Sequence, residues 1–252
     1  YQTAVSEMDD SETERILAEA RAYNESLNQV YSPFSNYDEV EGYEDILDIT
    51  GTGIMGYISI PVIDVELPIY HGTSSEVLNV AVGHLQGSSL PVGGADTHAV
   101  ISAHRGLPSA RLFTDLDKLV EGDTFTITVL DEVLTYEVED IFIVLPTELD
   151  KLEVISGGDY VTLMTCTPYG INTHRLLIRA HRIETAYDTT VKVTADAVQL
   201  DTLSTVPYIA APLLLILLFV WMFGGKRKRN RLTQKDIRSE IDCSGKDSDK
   251  NA

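Results

Sequence analysis

Residues 206–223 read VPYIAAPLLLILLFVWMF, 18 residues without a charge, and no other stretch limits the architecture of the chain so strongly. At about 1.5 Å per residue, a helix of that length spans roughly 27 Å, near the ~30 Å hydrocarbon core of a bilayer. Pro207 and Pro212 fall in its first third, where a membrane helix tolerates them. A helix buried in a soluble core is the competing reading; length and absence of charge favour a membrane span. Lys226-Arg227-Lys228-Arg229-Asn230-Arg231 follows directly. The positive-inside rule then puts the C-terminus in the cytoplasm and residues 1–205 outside the cell membrane.

That division organises the charge. Of 19 basic and 39 acidic residues in the chain, nine and five lie in 226–252, leaving ten and 34, a net −24, for residues 1–205. So acidic an outer part argues against nucleic acid as a partner; a solvated acidic surface accounts for it. The two cysteines, Cys166 and Cys243, fall on opposite sides of the expected membrane and cannot pair. Cys166 is therefore the only outer thiol, either a buried structural cysteine or a reactive one. The chain begins at Tyr1 rather than Met, which fits removal of an N-terminal signal or anchor.

Taken in order, Ser11-Glu12-Thr13-Glu14 matches a capping box with Ser11 as N-cap. Ile16, Ala20, Tyr23, Leu27 and Val30 then recur at helical spacing. Residues 31–53 hold the turn formers Ser32, Pro33 and Asn36 and read as a loop able to cross the domain surface; Phe34 within it needs an apolar seat. From Ile54 the pattern is β. Runs at 54–60, 65–70, 98–104, 124–130, 133–139, 141–145, 160–166 and 175–183 are short and rich in branched and aromatic residues, with a bulge expected at Asp140 between the fifth and sixth. Thr73-Ser74-Ser75-Glu76 opens a brief helix, 88–94 is a loop, and 113–119 allows one or two helical turns. Seven or eight short strands with little helix fit a closed or nearly closed barrel. The expected organisation is an N-terminal helix and lid segment (1–53), a barrel domain (54–184), a stalk (185–205), the span (206–223) and a basic tail (224–252).

Chemistry concentrates where the run ending at Cys166 meets the run beginning at Arg175, nine residues on. A hairpin-like connection brings the thiol and the guanidinium together, and a fixed cation stabilises a thiolate. Six histidines are present, with no spacing that matches a zinc site. His104 is the best placed to exchange a proton with the thiol, because it ends a strand and precedes the turn Arg105-Gly106-Leu107-Pro108. His174, beside Arg175, points to the opposite strand face.

These residues carry a resemblance. Thr162-Leu163-Met164-Thr165-Cys166 resembles the Thr-Leu-x-Thr-Cys signature of sortases, cysteine transpeptidases of the Gram-positive cell envelope. The stretches Cys166-Thr-Pro-Tyr-Gly-Ile-Asn-Thr-His-Arg175-Leu, Ser102-Ala-His104-Arg-Gly-Leu-Pro and Leu85-Gln-Gly-Ser-Ser-Leu-Pro-Val-Gly-Gly94 are similar to the class C, pilus-assembling branch, as are the C-terminal span and basic tail. The resemblance covers roughly residues 15–225. It implies a mainly β fold, an eight-stranded sortase-type barrel with short helices, an N-terminal helix and lid loop, and a C-terminal transmembrane helix. It implies a site of His104, Cys166 and Arg175, with Thr165 and Thr167 flanking as substrate contacts, and no cofactor and no metal.

The implied reaction cleaves a Leu-Pro-x-Thr-Gly-type sorting motif between Thr and Gly through a thioester on Cys166, with His104 as acid and base and Arg175 holding the oxyanion. The implied partners are pilin or other surface-protein substrates bearing such signals, and the acceptor lysine amine of a pilin. The family's lid carries Asp-Pro-aromatic; here the matching residues are Ser32-Pro33-Phe34, so the acid that would pair with Arg175 is a hydroxyl. That predicts a lid held by Phe34 and more easily opened than an acidic one. Two other readings compete: a housekeeping-type sortase that anchors proteins to peptidoglycan, and a non-catalytic, membrane-tethered assembly module on the same fold.

Overall fold

Short runs of branched and aromatic residues, each too short to bury itself, close on one another. The computed structural model describes residues 1–106 and 110–185. Its strands are β1 (Ile54–Ile60), β2 (Val65–His71), β3 (Val82–His84), β4 (Thr97–Ser102), β5 (Thr124–Val129), β6 (Glu132–Val144), β7 (Asp159–Thr167) and β8 (His174–Ile183). They form a closed barrel in the order β1-β2-β3-β4-β7-β8-β6-β5, with β2–β3 and β4–β7 parallel. Alternate residues point inward. Val161 and Leu163 of β7, and Leu176, Ile178 and Ala180 of β8, join Ile58, Phe125, Ile127 and Tyr136 in the central core.

The mainly β, eight-stranded barrel anticipated from the sequence is the fold observed. Its least legible strand is β3, whose three residues Val82-Gly83-His84 carry no periodicity. They become a strand because β2 and β4 flank them on either side. β4 stops at Ser102, two residues short of the expected end at His104. The runs expected at 133–139 and 141–145 are one strand, β6. Its irregularity lies between Val138 and Asp140, so the extra residue is Glu139, while Asp140 pairs with Arg179 of β8.

Two helices precede the barrel, α1 (Gln2–Glu7) and α2 (Asp10–Leu27). The cap of α2 is Asp9 rather than Ser11: its carboxylate accepts from the Glu12 amide at 2.9 Å. Asp caps as well as Ser, and starting there brings Asp10 and Glu12 into the first turn, where the helix dipole favours acids. Val30, read as the last apolar position, lies past the helix end. Ile16, Leu17, Ala20, Tyr23 and Leu27 bury one face of α2 in the core. Buried Asn24 clamps the 88–94 loop, donating to the Leu90 carbonyl (3.1 Å) and accepting from the Leu90 amide (2.7 Å). A third helix, α3 (Ser75–Leu78), is capped by Ser74, and Leu116–Lys118 form a 3-10 turn.

The segment between α2 and β1 is tied down by buried polar groups. The Tyr43 hydroxyl accepts from the Gly72 amide (2.8 Å) and faces Nδ1 of His84 (3.0 Å). Nε2 of His84 donates to the Ser89 carbonyl at 2.8 Å. His84 is fully buried. Burial pushes its pKa down to about 4, opposed by the hydrogen bond to Ser89 and reinforced by His71.

The span expected at 206–223, the basic tail, Cys243 and the stalk from residue 186 onward lie outside the described residues. Among the described residues, no helix is long and apolar enough to cross a membrane.

Candidate active site

Strand register assembles the site. β7 and β8 are antiparallel neighbours in which Cys166 pairs with Arg175 and Met164 with Leu177. Directly opposed residues project from the same face of a sheet, so thiol and guanidinium stand side by side. On the other flank of β7, β4 runs parallel with Ser102 level with Met164, and the Ala103 amide donates to the Met164 carbonyl at 3.1 Å. Carrying that offset two residues further sets position 104 level with position 166. His104, Cys166 and Arg175 therefore form a row across three adjacent chain segments, and all three line one cavity of about 230 Å³.

The three members are held differently. Cys166 and Arg175 sit within a hydrogen-bonded ladder. His104 lies beyond β4, where its carbonyl accepts from the Phe113 amide at 3.2 Å and the next residue is anchored by Arg105 Nε donating to the Thr114 carbonyl (3.2 Å) and by an Arg105–Asp117 ion pair (2.5 Å). Cys166 is a free, half-buried thiol. Arg175 donates through one terminal nitrogen to the carbonyls of His174 (3.1 Å) and Asn172 (3.3 Å). Among the described residues, no carboxylate lies within 4.0 Å of it. The rest of its fork stays available to an incoming oxygen.

Thr165 and Thr167 face the opposite side of β7 from Cys166 and are nearly buried, at 1% and 8% exposure. Thr165 lines the inner wall of the cavity, and its hydroxyl donates to the Ala103 carbonyl at 2.8 Å, bracing the backbone just ahead of His104. Thr167 pairs with His174 on that same inward face. Two other cavity residues, Thr73 and Leu78, reach the site from the segment around α3; as a helix start and an apolar helix position, neither carries a local pattern that marks a site.

Along the outer face of the sheet, away from Cys166, runs an apolar floor. Val100, Leu177 and Leu152 are buried there, with Met164, Phe142, Val144, Leu85 and Phe34 packed against them. Phe34 and Met164, which lines the Cys166 cavity, pack against the same buried cluster. Ser32, Pro33 and Phe34 themselves line a neighbouring cavity of about 510 Å³. Ser32 is exposed at a positive φ of 50°. The segment rests on Gly87, whose φ is +93°; a Cβ there would lie 2.8 Å from the Pro33 carbonyl oxygen and 2.9 Å from Phe34 Cα. Only glycine admits so close an approach.

A closed barrel that sets a cysteine, a histidine and an arginine in one row, beside an apolar trough, is the framework of a cysteine transpeptidase. The sortase domain matches residues 58–183, half the chain, and the chain belongs to the sortase family. It is similar to the crystal structure of sortase C1 from Streptococcus agalactiae, at 48% identity and a TM-score of 0.67, covering 73% of this chain and 96% of that one. Sortase C1 of GBS pilus island 1 is similar at 42% identity and a TM-score of 0.67, covering 76% and 93%. Sortase A of Streptococcus agalactiae is 29% identical over 130 residues, 50% of this chain. The chain spans about half the length of that curated relative (52%).

Proposed function

We propose that this chain is a pilus-assembling transpeptidase acting on Leu-Pro-x-Thr-Gly-type sorting signals. The observation that carries the reading is the His104–Cys166–Arg175 row at the end of an apolar trough. The Cys166 thiolate attacks the Thr carbonyl carbon, and the negative charge that develops on oxygen is met by the free donors of Arg175. As the Thr–Gly bond breaks, the His104 imidazolium gives its proton to the leaving glycine amine. The thioester then accepts a lysine amine from the next subunit. His104 takes the surplus proton and Cys166 departs as thiolate, leaving an isopeptide bond. The likeness to pilus-island sortases supports the polymerising role over peptidoglycan anchoring.

Two further parts belong to this reading. The Ser32-Pro33-Phe34 segment is a lid over the trough, held by apolar packing because Ser32 cannot pair with Arg175. The 206–223 run anchors the enzyme in the cell membrane, with the barrel outside and the tail in the cytoplasm.

Incubating the protein with a sorting-motif peptide, followed by mass spectrometry, tests the chemistry. The expected result is a thioester adduct on Cys166 that disappears in Cys166→Ala and is consumed by an added lysine-bearing peptide. Absence of adduct in both the wild type and Phe34→Ala would favour the non-catalytic assembly module. Transfer to a peptidoglycan-type amine in preference to lysine would favour the anchoring role.

A further inference from the structure

The mechanism leaves unused a buried histidine beneath the trough. His98 of β4 is 1% exposed and lines the 510 Å³ cavity together with Phe34 and Leu152. Both ring nitrogens are engaged. Nδ1 lies 2.9 Å from the Glu153 carbonyl oxygen, and Nε2 lies 2.7 Å from the hydroxyl of fully buried Thr162. A carbonyl only accepts, so Nδ1 carries the hydrogen and donates it. Nε2 is then the acceptor for the Thr162 hydroxyl, and the neutral ring satisfies every group around it. Burial holds the His98 pKa below the ordinary imidazole value; the Glu153 hydrogen bond opposes this and nearby Arg179 adds to it.

Glu153 belongs to the connection between β6 and β7, the wall of the trough. Leu152 of that wall is buried against the apolar floor, while Leu149 and Val154 border the cavity. Residues 149–155 hold little regular structure, one 3-10 turn at Asp150–Leu152. Among the described residues, the His98–Glu153 contact is the only hydrogen bond joining this stretch to a barrel strand. A loop with so few ties is set by the ones it has.

We propose that His98 is a positioning residue for the sorting signal: its Nδ1–H pins the wall at Glu153, and the pinned wall sets how tightly the trough holds substrate. This rests on the transpeptidase reading only for the identity of the ligand. His98 touches no reacting atom, so its loss weakens binding and leaves the bond-making steps intact.

The test compares wild type, His98→Ala and His98→Asn in the whole chain, with two readouts. An Asn side chain can present its amide N–H where Nδ1–H stands, so it retains the bond to Glu153 while discarding the ring. The first readout is backbone hydrogen exchange across 149–155. Exchange is expected to rise up to about tenfold in His98→Ala, the loss expected for one net hydrogen bond, and to return towards wild type in His98→Asn. The second is sorting-peptide turnover: KM rises by a similar factor in His98→Ala with kcat unchanged, and His98→Asn recovers it. Unchanged exchange in His98→Ala, or a fall in kcat at constant KM, overturns the proposal, as does failure of His98→Asn to restore protection while it remains folded by circular dichroism. Should wild type turn over no sorting peptide, the functional reading fails while the exchange comparison still decides the pin.

Discussion

Cys166 on β7 and Arg175 on β8 are register partners, fixed opposite one another by the backbone ladder rather than by any bond between their side chains. The guanidinium needs no anchoring acid to be in place: two local carbonyls orient one nitrogen and leave the others free. Arg175→Ala is expected to lower kcat for peptide cleavage by about 10²–10³-fold, the loss of one oxyanion donor. Arg175→Lys should recover little, because an ammonium lacks the planar fork. Circular dichroism and melting temperature near wild type in either variant would place the defect in charge stabilisation rather than in folding.

Access to Cys166 tests the lid. Phe34→Ala removes its apolar contact, and Gly87→Ala pushes a methyl group into the Pro33–Phe34 backbone. Both should speed alkylation by roughly tenfold, equivalent to about 1.4 kcal/mol of lost closure, while Ser32→Asp slows it by giving Arg175 a charged partner. Equal rates in all four proteins would mean the segment covers nothing that matters to the thiol.

Thr165 offers a contrast between bracing and substrate contact. Its hydroxyl is consumed by the Ala103 carbonyl, so Thr165→Val leaves a buried acceptor unpaired. The expected cost is about 1–3 kcal/mol in denaturant-induced unfolding, with peptide KM little changed. A KM effect without loss of stability would return Thr165 to the substrate-binding surface.

Buried His84 links stability to acidity. Its folded pKa is about 4 against an unfolded value near 6.5, so the unfolded chain takes up the proton first as pH falls. No penalty applies above about pH 6.5. Between there and pH 4 the fold loses about 1.4 kcal/mol per unit, after which this contribution levels off. Melting temperatures across that window should fall more steeply for wild type than for His84→Gln. Parallel curves would show that His84 is not responsible.

Much of the fold was legible in the sequence because strands announce themselves by branched and aromatic runs of the right length, and seven of the eight here do so. β3 did not, since three residues flanked by turns carry no alternation and owe their state to neighbours. The helix cap shifted from Ser11 to Asp9 because either side chain can accept an amide and only the tertiary seating of α2 selects one. Within the site, the hairpin placing Arg175 near Cys166 could be read from local sequence. The alignment of His104 could not: it depends on β4 and β7 lying parallel, a contact between segments separated by some 60 residues. Leu78, Thr73 and His98 were opaque for the same reason. Nothing in their local pattern distinguishes a trough from a core.

The extra residue at Glu139 lets even-numbered side chains face inward in the first half of β6 and outward in the second. Before it, Tyr136 and Val138 pair with Arg182 and Ala180, facing the barrel interior; after it, Phe142 and Val144 pair with Leu177 and Arg175, facing outward. One inserted residue inverts the parity of the strand. Excising Glu139 would restore simple alternation, with Asp140, Phe142 and Val144 still opposite Arg179, Leu177 and Arg175 and facing outward, so what is lost is the local bend and twist that a bulge adds. The expected product is a deletion variant that folds and keeps the same side chains at the trough, so the extra residue shapes the course of β6 rather than the identity of the surface it offers.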